Sequence, residues 1–185
     1  MSIKKKNKQD YENHLNEATP LWFAVYTKYK REKIVDALLK EKGIQVYLPL
    51  QKLTRRWERK IKKVELPLFS CYIFVKITKQ EYVKVLETAN VVEFVHFSRN
   101  LVSIPEEEID MVKRILGEGI EITAEPATWR KGDEVEIISG NLVGLKGKLI
   151  AQQGKQIFLV ELEKLGYTLR LAIDQQLLRK IGAVA

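Results

Sequence analysis

The sequence predicts an α+β protein of two units, a βαββαβ unit over residues 21–116 and a small all-β barrel over residues 129–185. Three observations carry that prediction. Apolar strands alternate with amphipathic helical stretches up to Phe97. Glycines then recur at Gly140, Gly144 and Gly147 between two apolar strands, and glycine supplies the positive φ that a tightly turning barrel needs. Between the units, residues 117–128 hold Gly117, Gly119, Pro126, three glutamates and no basic residue, which reads as a flexible linker.

The elements follow in order. Residues 1–20 are polar and aperiodic and predict a flexible arm. Pro20 precedes a strand over Leu21–Tyr26. The basic run Lys28-Tyr29-Lys30-Arg31 leads into a helix from Glu32 to Lys42. Ile34, Val35, Leu38 and Leu39 form its apolar face, and Gly43 suits its C-terminal stop. Ile44–Leu50 reads as a strand that Pro49 places near a sheet edge.

Lys52 to Lys63 carries seven basic residues against Glu58, with Trp57 in its middle, and predicts a hairpin arm projecting into solvent. The chain returns through Leu66–Val75, apolar enough for a central strand. A helix near Lys79–Thr88 turns Tyr82, Val85 and Leu86 inward, and a strand follows over Val91–Phe97. Pro105 and Glu106-Glu107-Glu108 open a last helix to Leu116, since proline and carboxylates suit a helix N-terminus. The order over residues 21–97 is that of a ferredoxin-like βαββαβ unit. Past the linker, strands over Glu134–Ile138, Lys146–Ala151, Ile157–Leu162 and Tyr167–Ile173 close into a small barrel.

Composition bounds the function. The chain has 185 residues and a net charge of +8, and residues 21–116 alone carry 19 basic against 12 acidic side chains. That asymmetry reads either as a nucleic-acid contact on the first unit or as a lysine-rich soluble surface. The single cysteine, Cys71, excludes an internal disulfide framework and fits a reducing cytoplasm. The basic start lacks an apolar core behind it, so no secretory signal and no membrane span are expected. Two histidines and one cysteine offer no metal cluster, so neither catalysis nor a cofactor is expected. A phosphate loop is the rival reading of the glycine run, but the Gly-Lys-Ser/Thr ending is absent.

The segment from Lys131 to Ile150, with its glycine spacing, resembles a KOW motif, the strand-loop-strand core of a small SH3-like barrel. Together with Trp22-Phe23-Ala24-Val25-Tyr26-Thr27-Lys28 and Leu66-Pro67-Leu68-Phe69-Ser70-Cys71-Tyr72-Ile73-Phe74-Val75, in that order, it resembles the NusG/RfaH family of transcription elongation and antitermination factors. The Tyr-Leu-Pro-Leu and Thr-Arg-Arg-Trp segments look more like specialised, RfaH-like paralogues.

The resemblance implies a non-catalytic mechanism. The first unit would bind the clamp helices of RNA polymerase and suppress pausing or termination. The KOW barrel would recruit a ribosomal protein or Rho, and the non-template DNA strand is a further implied partner. The polymerase-facing aromatic surface falls on Tyr26, Tyr72, Phe74 and Phe97, with Phe74 equally readable as core. Lys28, Lys30 and Arg31, and in the arm Arg55, Arg56 and Arg59, are the nucleic-acid candidates, each equally readable as a solvated charge. The arm is also readable as a polymerase contact. Leu142 stands at the loop position where the family contacts its partner and usually carries an aromatic. Ser70-Cys71 replaces the family's Pro-Gly or Pro-Asn. The glycines favour a constitutive barrel over a stored helical hairpin. A monomer is expected. The alternative is a KOW-type RNA-binding or ribosome-assembly protein.

Overall fold

The computed structural model describes residues 11–57, 60–97, 99–120, 122–126, 132–152 and 155–181. The first sheet has four strands, β1 (Leu21–Thr27), β2 (Gln45–Tyr47), β5 (Tyr72–Ile77) and β6 (Val91–Phe94), in the order β2-β5-β1-β6. Between them run α1 (Glu32–Glu41), the β3 (Leu50–Trp57) and β4 (Lys60–Pro67) hairpin, and α2 (Tyr82–Leu86), entered through a 3-10 turn at Lys79–Glu81. All pairs in this sheet are antiparallel. Strand alternation gives it two faces. Phe23, Val25, Ile73, Val75 and Ile77 point to α1 and α2 and are fully buried there with Val35, Leu39 and Val85. Trp22, Ala24 and Phe74 point to the opposite face, against α3 (Glu106–Gly117).

The second large sheet has six strands, β7 (Ile122–Pro126), β8 (Asp133–Ile137), β9 (Lys146–Gln152), β10 (Lys155–Leu162), β11 (Tyr167–Leu171) and β12 (Leu178–Lys180), in the order β12-β8-β9-β10-β11-β7. The described C-terminal residues thus form strands, with a 3-10 turn at Gln175–Leu177 and no α-helix. Gly147 is required by close approach: a Cβ there would lie 2.3 Å from the Leu159 carbonyl oxygen and 2.8 Å from the Phe158 ring. Gly140 and Gly144, both at φ +83, turn the β8–β9 loop.

Most elements lie where the sequence places them. α1 ends as expected: Gly43 takes φ +75, its N–H bonds the Lys40 carbonyl, and the Ile44 N–H bonds that of Leu39. Ile34, however, is exposed, because the buried face of α1 runs through Glu32, Val35 and Leu39. The apolar run Leu66–Val75 is not one strand. It splits into the end of β4, a turn at Leu68–Cys71, and β5. Cys71 makes that break, at φ +67. Strand β6 stops at Phe94 rather than Phe97.

Residues 117–128, expected without regular structure, contain β7, which pairs along β11 from Tyr167↔Pro126 to Leu171↔Ile122. Residues 12–17, expected in a flexible arm, are bonded to the body. Asn13 bridges Leu101, His14 Nδ1 lies 2.9 Å from Ser103 Oγ, and Lys79 reaches Glu17 at 3.0 Å. Neither segment is apolar enough to reveal these contacts by periodicity.

Candidate polymerase and nucleic-acid interface

The site grows from the way two strands end. Tyr26 and Tyr72 are register partners on β1 and β5, so their side chains leave the same face, 5.3 Å apart and edge to face. Phe74, two residues along β5, stacks on Tyr47 of β2 at 6.3 Å and meets Phe69 edge-on at 5.8 Å. Phe97, in the loop after β6, completes the cluster. Of the four predicted contact residues, Phe74 is 2% and Tyr26 37% exposed, whereas Tyr72 and Phe97 are half-buried. The structure brings all four together and sinks Phe74 into the core.

The turn before Tyr72 is held by a buried carboxylate. Glu32, 5% exposed at the start of α1, accepts the Cys71 N–H at 2.8 Å, and the Cys71 carbonyl accepts the Thr27 N–H at 2.8 Å. Cys71 therefore takes the left-handed conformation that Gly or Asn adopts with less strain. The Cys71 side chain holds the Tyr26 hydroxyl above its ordinary pKa.

The aromatic face is covered in part, on its Phe69 and Tyr72 side. The β10–β11 turn lays Leu165, Gly166 and Tyr167 beside it, and a partly open cleft of about 280 Å³ remains between them and Phe69, Tyr72, Phe74 and Phe97. Tyr167 contacts Phe69 at 4.9 Å and Tyr72 at 5.8 Å, both edge to face. Burial, then Tyr72, pushes the Tyr167 hydroxyl up to about 12. One apolar core runs continuously from Trp22 and Phe74 through Ile109 and Ile115 to Leu162 and Leu169.

Helix α3 adds polar clasps. Glu108 in its first turn accepts the Lys164 N–H at 3.1 Å. Arg114 in its last turn donates to the Asn141 and Val143 carbonyls, both at 3.1 Å. Gln51 at the foot of the hairpin donates to the Ile122 carbonyl at 2.8 Å. Burial raises the Glu108 pKa, and Glu163 adds to the rise.

Leu142 lies in the β8–β9 loop that Arg114 grips and is 6% exposed, so it presents no free surface in this arrangement. Its neighbour Val143 is 53% exposed. Lys28, Lys30 and Arg31 are exposed on the turn between β1 and α1, next to Tyr26. Lys30, at φ +57, sets its ammonium 5.1 Å from the Tyr29 ring centre. Arg55 and Arg56 pair in backbone register with Lys62 and Ile61, while their side chains and the whole of Arg59 lie outside the described residues. Sequence reasoning missed Glu108, Arg114 and Tyr167 as contact residues. Each is unremarkable along the chain and gains its role from the packing of α3 and β11.

Among the described residues there is no group of three or more His, Cys, Asp or Glu placed to hold a metal, and no helix is long and apolar enough to cross a membrane. The chain has the fold of a solved structure of domain interaction in Thermotoga maritima NusG, at TM-score 0.54 and 19% identity, over 88% of this chain and 97% of that one. The MjSpt4:Spt5 complex in its conformation A aligns at TM-score 0.32 and 21% identity, over 87% of this chain and 98% of that one. No curated protein matches the chain. NusG, described as transcription termination factor nusG, matches residues 20–113. The chain belongs to the NusG family of transcription factors.

Proposed function

We propose that this protein is a transcription elongation and antitermination factor of the RfaH-like kind, held here in a self-covered form. Residues 21–116 act as a ferredoxin-like domain that binds the RNA polymerase clamp helices through Tyr26, Tyr72 and Phe97, with Phe74 packed beneath them as core. Residues 129–185 act as a KOW barrel that recruits a ribosomal protein or Rho through the loop carrying Leu142. The tether between them, residues 117–128, contributes β7 while the barrel is docked. Lys28, Lys30 and Arg31, exposed on the turn that follows Tyr26 in the chain, would meet the non-template strand. The protein works without catalysis or cofactor, as a cytoplasmic monomer. It shifts the polymerase toward its elongating state, which requires tighter binding to that state than to the paused one.

The observation that carries this reading is the aromatic cluster at the open end of β1 and β5, met by the barrel's own Tyr167. Aromatic anchors in a desolvated patch dominate interface affinity, and an intramolecular mimic competes for the same patch. Polymerase binding is then weakened by the fraction of molecules that are docked. The docked arrangement likewise keeps Leu142 from a partner, so the domains would become available together.

Capture of core RNA polymerase by the full chain tests this. Tyr167→Asp places a charge against Phe69 and Tyr72, removes two aromatic contacts of about 1 kcal/mol each, and should raise capture about tenfold or more. Adding Tyr72→Ala should abolish the gain. Equal capture by wild type and both variants would sink the site assignment. No capture by Tyr167→Asp would sink the polymerase reading itself.

A further inference from the structure

The described backbone between Phe97 and Ile104 belongs to no helix or strand, so its polar groups need partners from elsewhere. Residues 12–14 supply several of them. The Leu101 N–H bonds the Glu12 carbonyl at 3.0 Å, and the Leu101 carbonyl accepts the His14 N–H at 2.9 Å. Asn100 Oδ1 accepts the Glu12 N–H at 3.0 Å, and Asn100 is itself backbone-paired with Phe97 in both directions, at 2.8 and 2.9 Å. Arg99, at φ +73 in the same turn, donates to the Tyr11 hydroxyl at 3.1 Å. Asn13 and Asn16 shape the segment, their side-chain oxygens accepting the N–H groups of Leu15, Ala18 and Thr19. Its far end is fixed at Lys79, whose N–H bonds the Asn16 carbonyl and whose ammonium reaches Glu17 at 3.0 Å. Phe97, held through Asn100, stands in the aromatic cluster, and its ring edge lies 3.8 Å from where a Cβ on Gly166 would sit.

His14 is the centre of this contact. Its Nδ1 accepts the Ser103 N–H at 3.1 Å and lies 2.9 Å from Ser103 Oγ. An accepting Nδ1 carries no hydrogen, so the ring proton sits on Nε2, which reaches Glu12 Oε1 at 2.6 Å. A second proton would go to Nδ1 and set donor against donor at the Ser103 N–H. The imidazolium would gain Glu12 as an ion-pair partner, but that carboxylate is exposed, and exposed pairs contribute little. A peptide N–H that loses its acceptor costs more. The charged groups along these contacts are Glu12 beside the ring, Arg99 with Tyr11, and Glu17 with Lys79. From the loop, Ser103 faces the ring.

We propose that residues 11–17 are a strap that positions Phe97 for the polymerase, with His14 as its proton-sensitive latch. Neutral His14 holds the loop, and protonated His14 lets it go. The purpose given to Phe97 rests on the polymerase reading, whereas the strap and its latch do not. Histidine is the side chain that changes charge between about pH 5 and pH 8, so acidification is the signal this latch answers. His14 acts through the Phe97–Ser103 loop and is a positioning residue.

The test is hydrogen exchange at the Leu101 and Ser103 amides of the full chain, read by NMR as protection factors at about pH 8 and about pH 5.5. Wild type should lose about tenfold in protection at both amides on acidification, because the strap opens as a unit. His14→Asn keeps an oxygen acceptor near the place of Nδ1 and takes no proton. It should hold its protection at both pH values, with every other titrating group unchanged. His14→Ala should show the low protection at both. Wild-type protection that ignores pH, or an equal acid loss in His14→Asn, would overturn the latch. Full protection in His14→Ala would overturn His14 as the holder of the strap. Capture of core RNA polymerase at the higher pH then tests positioning in the undocked Tyr167→Asp background. Adding His14→Ala should lower capture about threefold, and His14→Asn should restore it. Unchanged capture with His14→Ala would overturn the positioning of Phe97. If Tyr167→Asp alone captures no polymerase, the polymerase reading fails and takes the purpose of Phe97 with it, while the exchange data still decide the latch.

Discussion

Gly147 shows how one residue is fixed by its neighbours rather than by its own turn. With the Leu159 carbonyl oxygen 2.3 Å from where a Cβ would sit, the clash is with backbone, which cannot rotate away. Gly147→Ala should therefore cost about 3 kcal/mol, the upper range for overpacking, read as a lowered midpoint in denaturant. Its glycine spacing was visible in the sequence, but the reason for it was not, because Phe158 and Leu159 reach it from the adjacent strand. Cys71 is the converse. The sequence marked a departure at Ser70-Cys71, and the structure puts Cys71 in a left-handed turn, tied by Glu32 on one side and Thr27 on the other.

At the scale of elements, α3 was legible as a helix and illegible as a clasp. Its stripe of Ile109, Val112 and Ile115 follows from periodicity. That Glu108 and Arg114 would grip two loops of the C-terminal sheet depends on where that sheet lands. Arg114→Ala removes two charge-assisted hydrogen bonds at an exposed position and should weaken docking by about 1 kcal/mol. Glu108→Gln should act oppositely. The carboxyl is raised above its ordinary value of 4.5 by burial, so the stability it contributes is full below that pH and is lost as pH rises through the raised value. A glutamine keeps an acceptor for the Lys164 N–H without the buried charge. Denaturant titrations of both variants at pH 7 check the two signs. The Glu108 idea fails if the glutamine variant is the less stable.

For the whole molecule, the central quantity is the balance between docked and undocked barrel. Tyr167 reports on it. Its hydroxyl is neutral in the docked state up to about 12 and ionises near 10 when unfolded, so the stability it lends is full below pH 10 and drains away as pH climbs towards 12. Between pH 9 and pH 11.5 the wild type should lose stability more steeply than Tyr167→Phe. Parallel curves would mean that Tyr167 is not held by this contact.

The sequence by itself determined most of the strands and helices between Leu21 and Leu171, their order, the edge position of β2, the basic hairpin and the family resemblance that residues 20–113 bear out, but neither β7 nor β12. It could do so because strand alternation, helical stripes and turn residues are local signals with fixed periods. Only the tertiary structure decided that Leu66–Val75 breaks at Cys71, that the tether becomes β7, and that Tyr167, Arg114 and Glu108 close part of the aromatic face. These depend on which surfaces meet across tens of residues. A strand such as Ile122–Pro126 carries too few apolar side chains to announce itself and is stabilised by the edge of β11 that receives it.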